Sequence, residues 1–291
     1  MSHSHSHSHG GSKNILMAFF LNASFSIIEL IGGYLTNSVA IYSDALHDFG
    51  DSLALLFSYF AERLSYKKAD RKFTFGYRRF SVLAGLINGL ILLAGSVFVI
   101  FEAVKRIQNP EPVKAEGMIL LAILGIVVNG LAAYKMSKAE GSNPKMVMFH
   151  LLEDLLGWVS VLIVSIVLLF KPWYILDSIL SVLISLVILR GVYKNLIKVG
   201  MIFLQNFPTE LDVKKLINEI LSFDLVKDVH ELKGWSIDGE AHYLRFHVLV
   251  SRDSNIVQLD SLKESIKLKL KEYNISYSTI EFEAECVHYD E

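Results

Sequence analysis

The chain has 291 residues, 52% of them hydrophobic and 20% charged, with a mean hydropathy of +0.41 and a formal net charge of −2. Soluble domains average about 45–50% apolar and about 25% charged residues, so the excess points away from a soluble globular chain. A single cysteine, Cys286, excludes an intrachain disulfide and any cysteine-rich zinc module, and no nucleic-acid partner is expected.

The chain opens with MSHSHSHSHGGS, a polar His-rich tract without the apolar core of a signal peptide. Its composition reads either as a metal-binding segment or as a purification tag, and residues 1–13 are expected to be a disordered cytosolic N-terminus. Apolar runs then fall at about 14–34, 39–63, 80–106, 116–136, 146–170 and 174–192. Each is close to the roughly 20 residues a helix needs to cross about 30 Å of hydrocarbon. The expectation is a mainly α membrane protein with a six-helix transmembrane domain over 14–199.

Basic residues set the orientation. The stretch SYKKADRKFTFGYRR, between the second and third runs, holds six Lys or Arg and one Asp, and YKMSKAEGSNPK, between the fourth and fifth, holds three Lys. The connection after the fifth run has only Lys171. The positive-inside rule puts the two basic loops in the cytoplasm. Six spans then place both termini there, in what is expected to be a bacterial inner membrane.

From about residue 200 the pattern changes. PTELDVKKLINEILSFD and NIVQLDSLKESIKLKLKEY have amphipathic helical spacing, whereas AHYLRFHVLV and ISYSTIEFEAE alternate like half-buried strands. With LVKDVHELKGWSID as a strand before the Asp238-Gly239 turn, the order is α-β-β-α-β. That predicts a cytosolic α+β domain of ferredoxin-like type over 200–291, with helices on one face of a sheet. Residues 201–291 carry 17 acidic and 10 basic side chains, net −7, against net +5 for the rest.

The second run, SVAIYSDALHDFGDSLALLFSYF, carries Asp44, His47, Asp48 and Asp51. An ionised Asp at a bilayer centre costs about 2.5–3.5 kcal/mol, so these groups need partners. The fifth run supplies them in FHLLEDLLGWVSVLIV, where His150 and Asp154 repeat the four-residue spacing of His47 and Asp51. Residues i and i+4 share a helix face. Two such faces brought together give two nitrogens and two oxygens, a set that suits tetrahedral Zn²⁺ with bonds of about 2.0–2.2 Å. The two carboxylates also neutralise a divalent cation. One such pair alone is as well explained by an interhelical hydrogen bond, but two copies in apolar spans point to metal. A closed four-ligand set leaves no position for a metal-bound water, so the expected metal is cargo and no enzyme or cofactor is expected. The DFG at 48–50 lacks the other kinase signatures, and no His-Glu-x-x-His occurs.

These segments resemble the cation diffusion facilitator family, zinc-transporting branch. NSVAIYSDALHDFGDSLAL resembles the family's helix 2, FTFGYRRFSVLAGLINGLIL the start of its helix 3, HLLEDLLGWVSVL its helix 5, and VKDVHELKGWSIDGEAHYLRFHVLV its cytosolic domain. The resemblance implies a homodimer that exports divalent metal from the cytosol in exchange for protons by alternating access. It implies a transport site at His47, Asp51, His150 and Asp154, and a preference for Zn²⁺ over Cd²⁺ from His47. Some members hold a second metal in the loop where this chain has Phe73 and Tyr77; Asp70 alone is expected to be a solvated loop charge.

Relatives also often read Leu-His-Val-Trp where this chain has Leu232, Lys233, Gly234 and Trp235. The remaining candidate ligands there are His230, His247, Asp260, Glu281, Glu283, Cys286 and His288, of which His230, His247 and Glu283 are the strongest set for a regulatory metal. Asn22, Glu29, Asn88 and Asn129 are expected to hydrogen-bond between helices. Asp44 and Asp48 are expected to support the site and Trp158 to pack. The rival readings are an Fe²⁺- or Mn²⁺-selective transporter of the same fold and a membrane metal sensor without flux.

Overall fold

The computed structural model describes residues 10–65, 67, 69–138 and 142–284. Six long helices come first: α1 (Gly10–Thr36), α2 (Val39–Ser65), α3 (Arg79–Gln108), α4 (Ala115–Ser137), α5 (Ser142–Phe170) and α6 (Ile175–Phe203). Proline cannot sit in a helix interior without removing a hydrogen bond. Here Pro110, Pro112, Pro172 and Pro208 lie in connections, and Pro144 lies in the first turn of α5, where a missing N–H is harmless. With no breaker after residue 192, α6 continues past the predicted end of its apolar run to Phe203.

Five of the helices, all but α2, are long and apolar enough to cross a membrane, which makes the chain an integral membrane protein. The second helix falls short because Asp44, Asp48 and Asp51 interrupt its apolar content.

Two compact units result, one holding the chain up to Arg63 with Leu83–Leu196, the other holding Leu64–Val82 with the chain from Ile197 on. In the first, Ala40 and Ile41 of α2, Met118 and Ala122 of α4, and Trp158 and Val161 of α5 form a shared core. Trp158 is fully buried, and its indole lies where a Cβ on Gly125 would sit, 2.2 Å away. Similarly, a Cβ on Gly50 would stand 2.2 Å from Leu92, so the glycine of DFG sets the approach of α2 to α3. Gly125→Val is expected to destabilise the protein by at least the roughly 1–3 kcal/mol typical of overpacking, read as a lowered thermal midpoint in detergent.

The second unit contains α7 (Val213–Leu221), β1 (Val226–Ser236), β2 (His242–Val250), α8 (Ile256–Lys271) and β3 (Ile275–Glu283). This is the α-β-β-α-β order the alternation predicts. The sheet order is β1-β2-β3, with β1 antiparallel and β3 parallel to β2. Asp212 caps α7 by accepting from the Lys215 N–H at 3.1 Å, and Asn255 with Gln258 forms a capping box on α8. Leu216 and Ile220 from α7 and Leu262, Ile266 and Leu270 from α8 pack on Leu244, Phe246 and Val248 of β2. The β1–β2 turn is tied by Asp238, whose Oδ1 accepts from the N–H groups of Glu240 and Ala241 at 3.0 and 2.8 Å, with Gly239 at φ +95°.

Candidate metal centre

In the first unit a cavity of about 630 Å³ opens between α2, α3, α5 and α6. Asp44, His47 and Asp51 line it from α2, Asp154 from α5, Asn88 from α3 and Asn195 from α6. On α2 the i, i+4 spacing brings His47 Nε2 to 3.9 Å from Asp51 Oδ2. Gly89, Gly157 and Gly191 line the same space; a Cβ on Gly89 would stand 2.7 Å from Leu196, so this glycine lets α6 come close to α3. Three of the four predicted transport residues therefore face one cavity. The fourth, His150, sits on α5 one turn before Asp154, and its side chain lies outside the described residues.

The polar residues around this cavity divide. Asn22 of α1 donates to the Asp48 carbonyl at 2.9 Å and to Ser52 Oγ at 3.1 Å, the interhelical bond expected of it. Glu29 departs from expectation. It is 1% exposed, and neither carboxyl oxygen has a hydrogen-bond partner. Its nearest ionisable neighbours are Asp48, Asp44 and Asp154, and two carboxyls can hydrogen-bond to each other only where one carries a proton. Asn88 Oδ1 and Asn129 Nδ2 are likewise without partners.

Sequence reasoning passed over a seam at the other end of α2. Asp177, at the start of α6 and 1% exposed, accepts from Ser38 Oγ at 2.5 Å and from the Val39 N–H at 2.7 Å. Farther along, Ser181 Oγ donates to the Val39 carbonyl at 3.3 Å, and Ser43 and Ser185 hydroxyls meet at 2.9 Å. An acid at a helix N-terminus satisfies its free N–H groups and complements its dipole. Asp177 does this for a helix other than its own, so its signal in the sequence is indistinguishable from that of an ordinary first-turn acid.

In the second unit, Asp70 is an exposed loop charge, as expected, and its carboxylate also braces the loop. Its Oδ1 accepts from the N–H groups of Lys72 and Phe73 at 2.8 and 2.7 Å, and its Oδ2 from Tyr77 Oη at 2.7 Å. The Phe73 N–H and then the Tyr77 hydroxyl hold its carboxyl below the usual carboxylate range. Phe73 and Tyr77 pack against each other in a tilted arrangement, with ring centroids 4.6 Å apart.

On the sheet, His230 pairs across β1–β2 with His247, so both imidazoles leave the same face, their centroids 5.5 Å apart. A bulge follows His230, with Glu231 at φ +50°, and such bulges re-aim neighbouring side chains. Parallel pairing of β2 and β3 then sets Glu283 beside them. Its carboxylate lies 3.2 Å from His230 Nε2 and 2.5 Å from His247 Nδ1. Donor atoms of the three residues lie within 4.8 Å of one another. Ligands of a tetrahedral Zn²⁺ stand roughly 3.3–3.6 Å apart, so small side-chain shifts would close the set. The hydrogen bond from His247, followed by that from His230, lowers the Glu283 pKa. Its folded value lies below its unfolded one, so these contacts stabilise the strand pairing at neutral pH. That contribution is lost as pH falls below the usual glutamate range.

Of the other candidates, Glu281 is held by Arg245 Nε at 3.0 Å, though its second oxygen comes within 3.4 Å of His247. Asp260 pairs with Lys263 on α8 at 2.6 Å. Cys286 and His288 lie outside the described residues, as do residues 1–9 of the His-rich tract, whereas residues 10–13, expected to be disordered, belong to α1.

Comparison with known sequences agrees with this architecture. Residues 15–204 match the cation efflux transmembrane domain, and residues 208–285 match the cytoplasmic domain of cation efflux proteins. A "Cadmium, cobalt and zinc/H(+)-K(+) antiporter" of Bacillus subtilis (strain 168) is 34% identical over 97% of this chain and 92% of its own length. "Metal cation efflux system protein CzcD" of Cupriavidus metallidurans is 32% identical over 99% of this chain and 92% of its own. "Zinc transporter ZitB" of Escherichia coli (strain K12) is 31% identical over 95% and 89%. The long apolar helices, the α+β unit after them and these matches along the whole length lead to one assignment: the chain belongs to the cation efflux family of membrane transporters.

Proposed function

We propose that the chain is a proton-coupled antiporter that exports Zn²⁺ from the cytosol, working as a homodimer in a bacterial inner membrane. All six long helices, α2 included, span the bilayer over residues 14–199 in this reading, with both termini and the ferredoxin-like domain of 200–291 in the cytosol. His47, Asp51, His150 and Asp154 hold the metal as substrate. The observation that carries the reading is the cavity wall on which His47 and Asp51 of α2 meet Asp154 of α5, His150 being one turn from Asp154 on the same helix.

Two carboxylates cancel the charge of a divalent ion, which makes its passage through hydrocarbon affordable. Imidazole and carboxylate lone pairs take either Zn²⁺ or protons, and metal binding therefore releases protons. An imidazole ordinarily titrates near pH 6.5, inside the working range. Exchange needs only that competition and a cavity that faces each side in turn. The test is Zn²⁺ uptake by proteoliposomes, native protein beside Asp51→Ala. Loss of flux in the variant supports the reading, and tight binding without flux in the native protein would mark a sensor instead.

The His230, His247 and Glu283 group is, in the same reading, a regulatory metal site whose occupancy tightens the dimer. With one Zn²⁺ ligand set per copy, energy transfer between labelled copies of the full-length protein is expected to rise on adding Zn²⁺. His247→Ala is expected to abolish that rise while leaving the zinc-free signal unchanged. An equal rise in the variant would remove the regulatory role.

A further inference from the structure

In the second unit, the stretch between α2 and α3, the first turn of α3, Gln205 just after α6 and the end of strand β1 line a cavity of about 460 Å³. That volume lies within the roughly 300–1,000 Å³ of small-molecule sites. Its wall includes Lys72 and Arg79 together with Phe73, Phe75, Phe80 and Trp235, and it contains no acidic residue. The carboxylates nearest in sequence are committed elsewhere. Asp70 is taken by the Lys72 and Phe73 N–H groups and Tyr77, and Asp238 pairs with Arg78 at 3.4 Å. Arg79 Nε is buried without a hydrogen-bond partner. The loop is firmly shaped around the cavity, for Phe75 packs edge-on against Tyr243 with centroids 5.6 Å apart.

The chain position of this cavity adds a second constraint. Arg79 is the first residue of α3 and Phe203 the last of α6, so its walls stand where two membrane helices begin and end. Aromatic rings and basic side chains at that level are the groups that meet lipid headgroups.

We propose that this cavity binds a phosphate-bearing amphiphile, the anionic headgroup of a membrane phospholipid, with Lys72 and Arg79 on the phosphate and the aromatic rings against its glycerol and upper acyl chain. The phosphate chemistry is shared with free inorganic phosphate, and the apolar wall favours the lipid. The site is independent of the transported ion, so it stands or falls separately from the zinc reading.

The experiment uses full-length protein and native mass spectrometry from nanodiscs holding phosphatidylglycerol and phosphatidylcholine, with thermal midpoints measured in each lipid alone. Native protein is expected to retain phosphatidylglycerol selectively and to melt higher in it. Lys72→Gln/Arg79→Gln is expected to weaken retention on the order of thirtyfold, at about a fivefold loss per basic residue, and to erase the midpoint difference. Its midpoint in phosphatidylcholine reports folding independently. Phe75→Ala, which keeps both cations, is expected to weaken retention as well. Displacement of the lipid by millimolar inorganic phosphate, with Phe75→Ala unaffected, would overturn the lipid assignment in favour of a soluble anion. Equal retention by the double variant and native protein would overturn the site.

Discussion

Asp154→Ala is expected to abolish Zn²⁺ transport. In the proposed site the ion's two positive charges are balanced by Asp51 and Asp154, one from each helix, and both side chains line the same cavity. Removing one leaves an uncompensated charge in a low-dielectric interior, a loss of about 3–5 kcal/mol for buried pairs, which corresponds to roughly a hundredfold or more in affinity. Isothermal titration of the purified variant should show this loss at the transport site, and vesicle flux should fall to background. Asp154 lines the cavity and takes no part in the core contact that Trp158, one turn further along α5, makes with Gly125, so the variant is expected to stay folded. Full transport by Asp154→Ala would contradict the site.

Locking α2 to α6 is expected to have an equally large effect by a different route. If metal and protons use one site in turn, the helices around the cavity must part on each side alternately. The Ser38–Asp177 and Val39–Asp177 bonds, the Ser181–Val39 bond and the Ser43–Ser185 pair close one end of the α2–α6 boundary. Every side chain in that seam is nearly or fully buried. With Cys286 replaced by Ala, the pair Ser43→Cys and Ser185→Cys puts two thiols where hydroxyls now stand 2.9 Å apart, close enough to bridge. Oxidised protein is expected to bind Zn²⁺ yet carry no flux, and reductant is expected to restore flux. Unchanged flux in fully oxidised protein would mean that this end of the cavity does not open.

Much of this was legible from spacing. The apolar runs predict the long helices because a span must be apolar for about 20 residues, and the i, i+4 repeats predict which faces of α2 and α5 carry donors. The strands of the C-terminal domain are legible because one face of the sheet is covered by α7 and α8, which forces alternation. His230, His247 and Glu283 could be chosen as ligand types, but their proximity depends on register. The antiparallel pairing sets His230 opposite His247, and only the parallel pairing of β3, after α8, brings Glu283 alongside.

What stayed hidden was polar pairing between distant helices. Asp177 reads as an unremarkable acid near a helix start until α2 is laid beside it. Glu29 reads as a hydrogen-bonding residue, yet its neighbours are acids. Lys72 and Arg79 weigh in the sequence only as topogenic charge. Asp70 reads as a solvated loop charge, and its further role in bracing the loop is hidden because its partners, two backbone N–H groups and the Tyr77 hydroxyl, are set by the loop conformation. In each case composition records the residue type, and the partner is decided by the three-dimensional path of the chain.

The central claim is exchange of Zn²⁺ for protons through the α2–α5 site, and it is tested most directly by following both ions at once. Proteoliposomes loaded with a zinc indicator and a pH indicator, given Zn²⁺ outside and an acidic interior, should take up Zn²⁺ while their interior turns alkaline. Both signals should vanish in Asp51→Ala and Asp154→Ala. Zinc entry at the same rate with no pH gradient and no proton movement, or coupled movement that survives both substitutions, would contradict the account.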